Sequence, residues 1–113
     1  MGEQVINMQA LADMLDHDRD AMRHVLAEHM DQAGELMERL RTALASGDSS
    51  GVERAAHTLK GASGTVYAYR AERAARDMED AAADGDMESA RGLMPELEAA
   101  MDQVSRFVKD GFR

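Results

Sequence analysis

Residues 52–66 read Val52-Glu53-Arg54-Ala55-Ala56-His57-Thr58-Leu59-Lys60-Gly61-Ala62-Ser63-Gly64-Thr65-Val66. At about 100° per residue, Val52, Ala55, Leu59, Ala62 and Val66 fall on one side of a helix, the pattern of an element with one buried face. His57 falls opposite, in the middle of the exposed face. Gly61 and Gly64 lie above it, four and seven residues on, and Lys60 stands beside them. Side chains at these spacings share a helix face. Glycine inside a helix costs roughly 1 kcal/mol relative to alanine, and neither glycine lies on the apolar stripe, so packing within the molecule does not account for them. A bare backbone beside an imidazole does. It lets a second protein press close to the ring for in-line transfer, with the Lys60 charge available to a phosphoryl group.

The flanking sequence is helical on both sides. A first segment runs from about Met8 to Leu15, with Asn7 as cap and Ile6 placed to pack on Leu11 as a hydrophobic staple. A second spans about Arg19 to Ala45 behind Asp18, with Met22, Val25, Leu26, Ala33, Leu36, Met37, Leu40 and Leu44 at alternating steps of three and four. The run Ser46-Gly47-Asp48-Ser49-Ser50-Gly51 breaks it. The helix of His57 starts between Asp48 and Ser50, where Ser50 and Glu53 have capping-box spacing, and ends near Val66. A fourth segment covers about Tyr69 to Asp84 with Ala71, Ala74, Ala75, Met78 and Ala82 inward, and Gly85 is placed to close it in a left-handed conformation. Asp86 caps a fifth, with Ala90, Leu93, Leu97, Ala100, Met101, Val104 and Val108 at helical spacing; Pro95 should kink that helix or mark where it begins. The tail Asp110-Gly111-Phe112-Arg113 is expected to fray. Short polar turns between long amphipathic helices predict an all-α fold, an up-down antiparallel four-helix bundle with a short additional N-terminal helix.

Composition agrees with one domain over residues 1–113. Trp and Cys are absent and Pro occurs once, while the 10 methionines are most simply core filler, with a Met-rich partner surface as the sharper reading. A formal charge of −9 argues against nucleic acid and anionic membranes as partners. Without cysteine there is no disulfide framework or thiolate metal site. No signal peptide or membrane-length apolar run is evident, and Met1-Gly2 fails the myristoylation pattern because Ile6 stands where Ser or Thr is needed. A soluble, cytoplasmic monomer is the default expectation.

The run Ala56-His57-Thr58-Leu59-Lys60-Gly61-Ala62-Ser63-Gly64 resembles the His-x-Leu-Lys-Gly-x-x-Gly signature of histidine-containing phosphotransfer (HPt) domains. The resemblance covers nearly the whole chain. Leu40 to Leu44 with Gly47-Asp48 looks like the family's preceding helix and turn, Met78-Glu79 like the Leu-Glu pair of the following helix, and Gly85-Asp86 like the next turn. Tyr67 departs from the pattern, standing where the family usually has glycine; the helix is then expected to end differently or to continue for a residue or two.

The resemblance implies a phosphocarrier in a two-component His–Asp phosphorelay. His57 would accept the phosphoryl group through Nε2, Lys60 would stabilise the phosphate, and Gly61 and Gly64 would be close-approach positions for the docked partner. Glu79 aligns with a position that in some members hydrogen-bonds His Nδ1, and Arg76, one turn earlier, is a second candidate for that place. Partners would be the receiver domains of response regulators and a sensor or hybrid histidine kinase. No cofactor is expected on this chain. Mg²⁺ would come with the receiver, whose aspartates hold it. With no ATP-binding domain and no glycine-rich nucleotide loop, the chain is expected not to be a kinase.

A lone exposed histidine is ordinarily just solvated, and Lys60 or Glu79 alone would be a surface residue; it is their grouping that points to chemistry. None of His17, His24, His29 and His57 has an acidic residue three positions before it, so the Glu-x-x-His pattern of di-iron bundles is missing and no metal site is expected. His29 lies near the apolar stripe and reads as a packing residue, His17 and His24 as surface residues. The rival function is a non-phosphorylated α-helical adaptor with His57 incidental. It leaves the glycine pair beside the histidine without a purpose.

Overall fold

In a computed structural model that describes residues 4–111, the chain forms five helices: α1 (Met8–Met14), α2 (Arg19–Ser46), α3 (Ser49–Thr65), α4 (Tyr69–Ala83) and α5 (Met87–Lys109). No strand occurs among the described residues. The expectations at Met1-Gly2 and Phe112-Arg113 concern residues outside that range.

Side-chain caps start four of the helices. The Asn7 carboxamide accepts from the Ala10 amide at 3.1 Å, Asp18 from the amides of Asp20 and Ala21, and Asp86 from that of Ser89 at 3.0 Å. For α3 the cap is Asp48, which accepts from the Gly51 amide at 3.0 Å. The expected box between Ser50 and Glu53 is therefore not what starts this helix. An ionised carboxylate two residues upstream is the stronger acceptor for orphan amides, and Ser50 is left inside the first turn. Pro95 lies within α5, which runs unbroken from Met87, so it does not mark where the helix begins.

The four long helices pack in sequence, α2 on α3, α3 on α4 and α4 on α5, and α5 returns to α2; α1 rests on α2. Between them lie Leu26, Leu40, Leu59, Met78, Leu97 and Val104, all essentially without solvent contact. Ile6 and Leu11 are buried too, which fastens the N-terminal segment to the bundle.

The buried face of α3 is Val52, Ala55, Ala56, Leu59, Ser63 and Val66. Ala62, expected inside, is only half-buried. The face is turned slightly from the one that hydropathy picks out, because alanine and serine are small enough to be buried or exposed with little consequence.

The end of α3 closes with a Schellman pair. The Tyr67 amide donates to Gly64 O at 3.0 Å and the Ala68 amide to Ser63 O at 2.9 Å. Tyr67 fills the left-handed position of this motif at φ 61°, where glycine carries no Cβ penalty. The helix thus stops at Thr65 without continuing, and the tyrosine is absorbed as backbone strain. The strained residue is held from outside: Tyr67 O accepts from the Asn7 amide at 3.0 Å, and its ring meets Tyr69 edge-on at 6.4 Å between centroids.

Candidate functional site

Because α3 turns its Leu59 side inward, His57 projects outward near the helix middle with 67% of its side chain exposed. Its Nδ1 lies 2.7 Å from Glu79 Oε2, a residue of α4 only 16% exposed. The other oxygen of the same carboxylate, Oε1, is 2.7 Å from Lys60 Nζ. One carboxylate from the neighbouring helix therefore holds both side chains of α3. The Lys60 hydrogen bond, assisted by that from His57, keeps the Glu79 carboxyl below the usual carboxylate range in spite of its partial burial.

This fixes the imidazole's chemistry. An ionised carboxylate can only accept, so Nδ1 carries a proton, and the neutral tautomer this selects is the one with its lone pair at Nε2. Nε2 is the ring nitrogen that Glu79 leaves free, on a side chain that is largely exposed.

Gly61 borders the ring on open ground: a Cβ added there would meet nothing within 4 Å. Gly64 is different. A Cβ there would lie 2.6 Å from Glu72 Oε2 of α4, and the residue is half-buried rather than facing solvent. The same turn of α3 that buries Ser63 tilts Gly64 toward α4. Since only the tip of Glu72 covers it, the space can be opened cheaply. On the other side of His57 a groove of about 510 Å³ runs between α3 and α2, with Thr58, Gly61 and Ala62 on one wall and Val25 and His29 on the other.

Of the residues singled out from sequence, His57, Lys60 and Glu79 come together and Gly61 adjoins them. Arg76 is exposed, and it is Glu79 rather than Arg76 that hydrogen-bonds His57 Nδ1. His17 and His24 are surface residues beside Asp13 and Glu28, and His29 is buried. The Lys60–Glu79 bond escaped the sequence reading, although the signal was present. Positions 57 and 60 share a face, so one acceptor across the seam reaches both.

A family model for the Hpt domain matches residues 24–107. Comparison with curated proteins yields no match. Among solved structures, the crystal structure of histidine-containing phosphotransfer protein B (HptB) from Pseudomonas aeruginosa PAO1 superposes with a TM-score of 0.89, covering 97% of this chain and 96% of that one at 22% identity. At that identity the likeness is one of fold.

Proposed function

Because the chain belongs to the Hpt domain family, a phosphotransfer module of two-component signalling, we propose that it carries a phosphoryl group on His57 between the aspartates of receiver domains. The four long helices are read as the family's up-down antiparallel bundle, with α1 as an added cover. The observation that carries the proposal is the shared carboxylate: Glu79 Oε2 lies 2.7 Å from His57 Nδ1 and Oε1 2.7 Å from Lys60 Nζ, which supports a free Nε2 with an ammonium group anchored one helical turn away.

In the forward step the Nε2 lone pair attacks phosphorus of the receiver's aspartyl phosphate. The N–P bond forms as the P–O bond to the aspartate breaks, and the aspartate carboxylate leaves. Positive charge develops on the ring, whose Nδ1 proton stays bound to Glu79, and the anionic carboxylate offsets that charge. Lys60 faces the transferred group and balances its negative oxygens. The return step retraces this path to another receiver. Mg²⁺, where the step uses it, is held by the receiver's own aspartates.

The test incubates the protein with a phosphorylated receiver domain and compares it with His57→Gln. A phosphoramidate label is acid-labile and base-stable, and it should appear on His57 alone. Full labelling of His57→Gln would end the proposal. Receiver binding without any label on the unsubstituted protein would leave the adaptor reading in its place.

A further inference from the structure

In a chain of net charge −9, many cations are neutralised where they stand. Arg23 is paired with Asp20, Arg41 with Glu38 and Glu98, Lys60 with Glu79, Arg70 with Glu96 and Arg106 with Asp102. Arg39 and Arg54 are not. Both are exposed, and neither makes a hydrogen bond or ion pair with a described residue through its guanidinium.

The two lie on different helices, α2 and α3, yet line one groove of about 630 Å³ together with Thr42 and Thr58. Its charged lining is Glu38, Asp48 and the two arginines. Both acids are already engaged: Glu38 accepts from Arg41 at 3.1 Å, and Asp48 caps α3 through the Gly51 amide. What the groove offers to a partner is therefore two free guanidinium groups. Thr58 also lines the groove at His57, so the two hollows adjoin at that residue. Arg54 precedes His57 by three residues, about one turn along the same face.

We propose that Arg39 and Arg54 form an electrostatic docking pair that engages carboxylates on the rim of the receiver domain placed over His57. The proposal rests on the transfer reading of His57. An acidic partner is repelled at long range by a protein of this charge, and screening confines local attraction to about 8 Å at physiological salt. Two unpaired arginines lining a groove that shares Thr58 with the hollow at His57 place positive charge within that range of a receiver docked there. Each can bind a carboxylate through two parallel N–H donors, which fixes orientation as well as proximity. Residues of this kind decide which receiver is accepted without touching the chemistry.

The experiment uses a panel of isolated receiver domains phosphorylated with acetyl phosphate, and takes forward the one that labels the unsubstituted protein fastest. Transfer is followed as a function of receiver concentration. Arg39→Glu combined with Arg54→Glu should raise KM about tenfold or more while kcat stays within about twofold. The unsubstituted protein's KM should rise with salt, and in the double variant that rise should largely disappear. Arg39→Gln and Arg54→Gln should fall between, and Lys109→Glu on α5, which changes the charge as much as either single Arg→Glu substitution, should leave KM unchanged. Melting temperatures should stay within about 2 °C, because neither guanidinium has an internal partner to lose. An unchanged KM in the double variant, or a loss confined to kcat, overturns the docking pair while the transfer function stands. If no receiver labels the unsubstituted protein, the transfer reading fails and the docking pair fails with it.

Discussion

Replacing Gly61 separates what the position does for the fold from what it does for a partner. The backbone there is helical and exposed, and a new Cβ meets nothing within 4 Å. Alanine should therefore recover its full propensity advantage of about 1 kcal/mol with no steric cost. Unfolding entropy of about 2.1 cal/mol/K per residue, over 113 residues, comes to about 0.24 kcal/mol/K, so 1 kcal/mol corresponds to a rise in Tm of about 4 °C. Gly61→Gln should gain most of this, since glutamine is also a good helix former. Transfer should move the opposite way. Gly61→Gln puts a flexible side chain one turn from His57, on the path of the approaching receiver, and is expected to slow transfer at least about tenfold, a barrier increase of about 1.4 kcal/mol. Gly64→Ala should gain less stability, because its Cβ must displace a Glu72 oxygen 2.6 Å away. Circular-dichroism melts and single-turnover transfer from a phosphorylated receiver read the two effects on the same samples. A Gly61→Gln protein that melts higher and transfers at the original rate would refute close approach as the reason for the glycine. One that melts lower would refute the open-face assignment of α3.

Two further outcomes follow from the ionisable groups. Glu79→Gln should slow transfer and let the His57 proton exchange between ring nitrogens, visible in ¹⁵N shifts; and because the folded Glu79 carboxyl is depressed, its stabilising contribution is present above the ordinary glutamate value of 4.5 and lost as pH falls through the lower folded one, so the stability difference between the two proteins should shrink as the solution is acidified below that value. His29 is buried with its Nε2 unpaired, and burial lowers its pKa. The unfolded chain then binds a proton that the folded one refuses, and below about pH 6.5 stability should fall by up to about 1.4 kcal/mol per pH unit, a slope that urea titrations of His29→Leu should show removed.

The parts of this molecule that repeat along one helix were legible beforehand. His57, Lys60 and Gly61 share a face because their spacing says so, and Asn7, Asp18 and Asp86 cap because a short polar side chain precedes an apolar-periodic run. What failed was finer. Ser63 is buried in place of Ala62, since residues this small leave the orientation of α3 to its neighbours, and the tilt that follows takes Gly64 partly out of solvent. Asp48 took the cap from Ser50 because three candidate acceptors lay in a row and only the folded turn chooses between them. The shared Glu79 carboxylate and the free Arg39 and Arg54 are properties of pairing across a seam, which no single helical wheel contains.

Tyr67 joins two distant stretches of chain in one cooperative unit. Its left-handed backbone is braced by the N-terminal segment, through the Asn7 amide and through the hydroxyl that donates to Met14 Sδ at 3.8 Å. Detaching α1 would release that strain, and with it the two amide bonds that terminate α3. The last turn of the helix bearing His57 and the N-terminal helix should accordingly open and close together as one foldon, with shared amide-exchange protection although more than fifty residues separate them in sequence. A truncation meant merely to tidy the N-terminus would therefore reach the rim of the transfer face.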